Sequence, residues 1–170
     1  MDYLKRIEEQ YAIFSVAEIC SDILMWSHYS DKHKGFCVGF DRVRLYEAID
    51  DWRATDVACV ILPVDYQQDF PNIVFDDRPN EIEFLNESLT TKAQQWEYEK
   101  EHRIILNGRT NVPVILPNGV IREVIIGAQA SETTRTEIIE VVKSSDSGIK
   151  LYQARLAKDK FALEFDEIEY

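Results

Sequence analysis

Between Trp96 and Arg103 the chain reads Trp-Glu-Tyr-Glu-Lys-Glu-His-Arg, the tightest alternation of aromatic, acidic and basic side chains in the sequence, and it runs straight into Ile104, Ile105 and Leu106. Two backbone states would give this stretch two different jobs. If residues 99–106 are extended, Glu99, Glu101 and Arg103 project from one face at intervals of about 6.8 Å, a carboxylate pair beside a fixed cation. Glu101 or Glu99 could then stabilise a developing positive charge or act as a general base while Arg103 holds an anionic group. If the stretch is helical, Glu99 and Arg103 form an i,i+4 ion pair worth a few tenths of a kcal/mol on a solvated face. A polar segment that turns into a buried strand sets its last charges at a sheet rim, where a few side chains can converge on a ligand.

A second set, Trp26, Ser27, His28 and Tyr29, puts an aromatic surface, a hydroxyl, an imidazole and a phenol within one helical turn. These groups suit a flat heterocycle with polar edges. The competing reading makes Trp26 and Tyr29 core residues and His28 a hydrogen-bonded structural histidine. His28, His33 and Cys37 have no recognised zinc spacing, so no metal site is expected. Ser27 lacks a triad context, and the chain has no P-loop, no Rossmann glycine pattern and no nucleophile elbow.

The composition limits the partners. With 170 residues, 45% apolar and 11% aromatic, the chain is long enough to bury a core as a single domain without metals or disulfides. A net charge of −12 repels phosphate backbones, and no basic stripe exceeds Lys32-His33-Lys34, so nucleic-acid binding is not expected. The longest apolar run, residues 57–62, is far shorter than the ~20 residues of a membrane span. The first ten residues lack the apolar stretch of a secretory leader. No membrane association and a cytoplasmic location are therefore expected. Cys20, Cys37 and Cys59 are odd in number, lack CxxC spacing and sit among apolar neighbours, which reads as reduced core thiols.

Hydrophobic periodicity supplies the elements that would position these groups. A short helix over residues 3–10 leads into a β-prone segment from Tyr11 to Val16. Ser21 or Asp22 caps a helix ending near Tyr29, and Phe36 to Phe40 form a strand in which Gly39 lets another backbone or a ligand come close. Asp41 caps a helix with Leu45, Ala48, Ile49 and Trp52 inward. Val57 to Val64 form a strand that Pro63 confines to an edge or bulge. An acidic connection follows from Tyr66 to Glu83, and a helix over about Glu81 to Lys100 buries Phe84, Leu85, Leu89 and Trp96. A strand from His102 to Leu106 turns at Asn107-Gly108 and pairs with Val112 to Leu116. After a turn at residues 117–119 come a strand from Val120 to Ile126, a helix capped by Ser131, and two strands near 149–156 and 161–165. This order predicts an α+β domain, a mixed and mostly antiparallel sheet of six to eight strands with about four helices.

Residues 24–41, residues 96–103 and the segment from Ile121 to Gly127 together resemble a bacterial family catalogued as domain of unknown function 2971. The positions that match its motifs are Trp26, His28, Tyr29, Gly35, Trp96, Glu99, Glu101 and Arg103. The resemblance brings no established activity. It implies that this chain corresponds to the C-terminal two-thirds of a family member, without the N-terminal Tyr-rich strand. An open sheet edge, and hence a homo-oligomer, is expected from that loss. The Glu99-x-Glu101 pair also looks like the acidic motif of ADP-ribosyltransferases. That likeness implies NAD as cofactor, Glu101 on the nicotinamide ribose, Trp26 and Tyr29 flanking the base, and Arg103 on a phosphate. The Arg or His that grips NAD on the first strand of those enzymes has no counterpart here. A small, nucleotide-like ligand bound without chemistry therefore ranks first, transfer from NAD second, and a purely structural Glu/Arg cluster third.

Overall fold

The computed structural model describes residues 9–54, 58–71, 87–108, 113–145 and 148–170. It divides into two compact units, one from Met1–Ile19 and Trp52–Val112, the other from Cys20–Asp51 and Pro113–Tyr170. The fold is α+β, as the hydrophobic pattern predicts. Among the described residues nine strands form three separate sheets of three, four and two strands.

In the first unit, β1 (Tyr11–Ala17), β3 (Cys59–Pro63) and β6 (Glu101–Asn107) form an antiparallel sheet in the order β1-β6-β3. β6 lies in the middle, and Ile104, Ile105 and Leu106 are all buried, which is why its sequence is an unbroken apolar run and not an alternating one. Burial of each such side chain contributes about 1.5–3 kcal/mol. Pro63 closes β3 on an outer position of this sheet, where its missing N–H costs no ladder bond. Beside it, β4 (Asp65–Gln67) pairs in parallel with β5 (Thr91–Ala93), with Tyr66 opposite Lys92.

Two sequence expectations fail here. The helix drawn to Lys100 gives way after the helical residues 87–90 to β5 and a 3-10 turn over Gln94–Glu99, because Thr91 to Ala93 find a partner in β4 and tertiary pairing overrides helical propensity. Among the described residues the hairpin expected at Asn107-Gly108 does not form either. Both edges of β6 are taken by β1 and β3, so residues 113–116 have no edge left to pair with, and the Gly108 N–H donates instead to the Gln10 carbonyl at 2.7 Å. The helix expected over residues 3–10, the remainder of the acidic connection to Glu83, and Phe84 and Leu85 lie largely or wholly outside the described residues.

The second unit is a four-stranded sheet in the order β2 (Phe36–Phe40), β7 (Ile121–Ile126), β8 (Lys150–Leu156) and β9 (Leu163–Glu167). β7 and β8 are parallel, with α3 (Glu132–Ser144) as their crossover, and the other pairs are antiparallel. The two-residue period of β7 divides the core. Val124 and Ile126 pack with Leu151 and the α3 residues Ile138, Ile139 and Val142 on one face, while Ile125 packs with Trp26, Ala154 and Leu163 on the other. Trp26 belongs to α1 (Ile23–Tyr29), whose first turn is capped by Asp22 through the N–H groups of Leu24 and Met25. The helix α2 (Arg42–Ala54) starts at Asp41, which accepts from the Arg44 N–H at 3.1 Å, and buries Leu45, Ala48 and Ile49. Gly39 does allow a close approach, and its occupant is the Glu123 side chain, with Cγ 2.4 Å from where a Cβ would sit.

Candidate functional site

The charges at the start of β6 form one interlocked group within the first unit. Glu101 is 7% exposed and Glu99 only 2%, so neither is a solvated surface carboxylate. Glu101 and Arg103 lie two apart on β6, on the same face, and Arg103 turns back so that its Nε donates to Glu101 Oε1 at 2.8 Å. Its other donors reach the Leu89 carbonyl at 2.5 Å and Glu101 Oε2 at 3.4 Å. From β1, Ser15 is the register partner of Arg103 and donates diagonally across the strands to Glu101 Oε1 at 2.6 Å. From β5, Lys92 Nζ pairs with Glu101 Oε2 at 2.9 Å and with Glu99 Oε2.

Neither backbone state weighed from the sequence describes Glu99. It ends the 3-10 turn, and Lys100 then takes a left-handed conformation, φ 43°, before β6 begins. That single residue swings the chain so that Glu99 and Glu101 meet one ammonium from two directions. The i,i+4 helical geometry for Glu99 and Arg103 is therefore absent, and Arg103 pairs with Glu101. Glu101 is saturated in its main chain as well. Its N–H donates to the Tyr66 hydroxyl oxygen at 2.8 Å, and its carbonyl accepts from the Val64 N–H at 2.9 Å.

The electrostatics follow from these contacts. Burial pushes the Glu101 carboxyl up, but the hydrogen bonds from Arg103, Ser15 and Lys92 and the Arg103 charge more than offset it and bring the pKa down to about 2. Lys92 loses hydration on burial, which favours its neutral form, yet its bonds to Glu99 and Glu101 prevail and its pKa rises. The Tyr66 phenol is raised, by burial first and also by the neighbouring Glu101 and Glu99 carboxylates, against the opposing Glu101 N–H and Lys92. Lys92 also lies 5.2 Å from the centre of the Trp96 ring, within cation–π range.

The first candidate set thus comes together: Glu99, Glu101, Arg103 and, through Lys92, Trp96. Lys92, Tyr66 and Ser15 complete it and escape sequence reasoning, since they lie 9, 35 and 86 residues from Glu101 and only strand pairing brings them there.

The second set lies in the other unit. Trp26 is a core residue, 3% exposed, with its indole N–H on the Cys20 carbonyl at 2.6 Å, as the structural alternative has it for this residue. Tyr29, by contrast, is 62% exposed, and His28 beside it is exposed too, their rings edge to face. Ser27 bonds back to the Ile23 carbonyl at 2.9 Å and lies 3.1 Å from His33 Nε2.

His33, which has no recognised zinc spacing in the sequence, sits in an unusual turn of that region. Asp31, Lys32 and His33 are three successive left-handed residues, φ 45°, 55° and 67°, a conformation that costs about 1–2 kcal/mol for each non-glycine residue. The turn is held by Trp26, whose carbonyl accepts from the Ser30 N–H, the Ser30 hydroxyl and the His33 N–H, and by Gln129, whose N–H donates to the His33 carbonyl. Its ring lies parallel to that of Trp26, and its buried Nδ1 has no hydrogen-bond partner among the described residues. Among those residues no group of three or more His, Cys, Asp or Glu side chains is arranged to hold a metal ion, and no helix is long and apolar enough to cross a membrane.

No curated protein and no solved structure matches the chain. Residues 25–104 match the model of a family described as protein of unknown function (DUF2971). The match takes in both candidate sets, from α1 through the first residues of β6, and leaves the segment from Ile121 to Gly127 outside. Over those residues the chain is similar to the DUF2971 family.

Proposed function

We propose that this chain is a small-ligand-binding domain without catalytic chemistry, and that Glu101 serves the fold. The observation that carries this reading is the occupancy of one carboxylate. Ser15, Lys92 and Arg103 direct four hydrogen bonds at the two Glu101 oxygens, which together offer about four acceptor positions. An ADP-ribosyltransferase-like role needs one of those positions open toward a ribose, where charge develops in the transition state. An anion already neutralised by two cations and a hydroxyl offers little further stabilisation to a passing oxocarbenium ion.

Binding is supported by what the cluster leaves accessible. Lys92 keeps 21% of its side chain exposed, and Trp96 and Tyr66 are partly exposed around it. A polar, aromatic-edged rim of this kind suits a small, partly flat ligand better than a macromolecule. Thermal shift of the full chain with NAD and shorter nucleotides tests the reading, since a ligand at about 100 times its Kd adds about 2.7 kcal/mol of stability. A shift without nicotinamide release is the expected result. No shift with any nucleotide would leave the Glu101 cluster a purely structural lock.

A further inference from the structure

Within the Glu101 cluster nearly every donor is matched to an acceptor, and two exceptions lie side by side. The Tyr66 oxygen accepts from the Glu101 N–H, but among the described residues its own hydroxyl proton has no acceptor. The Lys92 ammonium spends two protons on Glu99 and Glu101 and has a third without a carboxylate or carbonyl partner among those residues. Tyr66 and Lys92 are register partners on the parallel pair β4 and β5, and they are anchored to two atoms of the same residue, the Glu101 nitrogen and Oε2. Their unspent donors are therefore held near one another at a partly exposed position, and the Trp96 ring flanks the lysine.

We propose that Tyr66 and Lys92 form an acceptor-reading subsite that takes the carbonyl oxygen of a neutral, flat ligand such as a pyrimidine or a carboxamide. The neutrality is decided by charge. The Lys92 and Arg103 cations are already balanced by the Glu99 and Glu101 carboxylates, so the cluster has no net positive charge to offset the desolvation of a phosphate or carboxylate, whereas a carbonyl dipole carries a far smaller desolvation cost. The raised Tyr66 pKa keeps the phenol a donor at neutral pH. This subsite rests on the ligand-binding reading above and gives it a ligand class.

The test is an NMR titration of the full chain with uracil, with benzoate and inorganic phosphate as anionic controls, following the Trp96 indole N–H. Uracil at millimolar concentration is expected to shift that resonance with higher affinity than either anion. Tyr66→Phe, which keeps the ring and removes the donor, is expected to weaken uracil about fivefold, the effect of one lost hydrogen bond. If Tyr66→Phe does not fold, Lys92→Arg keeps the charge but moves the donor, and the same loss is expected. An unmoved Trp96 resonance, equal affinity in the variants, or tighter binding of benzoate would overturn the subsite. A nucleotide thermal shift that survives Tyr66→Phe unchanged overturns the subsite alone. The lack of any ligand effect in the parent overturns both readings.

Discussion

Arg103 Nε lies 2.8 Å from Oε1 of Glu101, two residues before it on the same strand, in a setting where Glu101 is buried. A pair at this spacing on an exposed strand contributes little, because water screens it and both side chains lose freedom. Here the pair is closed in by β1, β5 and Tyr66, and its removal leaves charge behind in a poorly hydrated place.

Glu101→Gln is therefore expected to lower stability by about 3 kcal/mol at pH 7, since it strips one partner from a buried ionic group. The pH dependence gives the sign. The folded pKa of about 2 is below the ordinary carboxylate value of about 4.3, so the ionised group's contribution is complete above that ordinary value and is lost as pH falls toward 2. Urea unfolding of parent and variant should show a stability gap that is constant near neutrality and shrinks steadily below about pH 4. A gap independent of pH would mean that Glu101 does not titrate as described.

Gly127 makes the left-handed turn at His33 possible. A Cβ there would lie 2.2 Å from the His33 carbonyl oxygen and 2.7 Å from that of Gly35, both backbone atoms that cannot swing away. Gly127→Ala should cost about 3 kcal/mol or more, the upper range for overpacking, and thermal melting measures it. A change under about 1 kcal/mol would show that the turn gives way readily.

The three cysteines are free thiols. Burial raises Cys37 to about 11, with Cys20 and Glu123 adding to the effect, and Cys20 is raised by burial and Glu123. Native protein should react slowly with a disulfide reagent at pH 7, and urea should speed the reaction at all three positions, because only the thiolate attacks. Rapid labelling of native Cys37 at neutral pH would contradict this assignment.

How far the sequence carries can be judged element by element. The caps at Asp22, Asp41 and Ser131, the edge position of Pro63 and the strands β1, β2, β6 and β7 are legible because local chemistry specifies them: side-chain oxygens for unpaired N–H groups, a missing donor, an apolar period. The stretch from Thr91 to Glu99 is not legible, because its helical composition is overridden by a strand partner some two dozen residues earlier. Trp96, Glu99, Glu101 and Arg103 stand out by composition, yet their roles depend on Lys92, Tyr66 and Ser15, which no local pattern marks. For the same reason the sequence leaves the Glu99 geometry open, since a single left-handed residue at Lys100 decides it.

The most direct test of the central claim, that the Glu101 carboxylate is committed to the fold and performs no chemistry, is the release of nicotinamide from NAD by the parent chain. The account predicts no release above buffer, even where a nucleotide raises the melting temperature. Sustained release that disappears in a folded Glu101→Gln variant would contradict it and make Glu101 a catalytic residue.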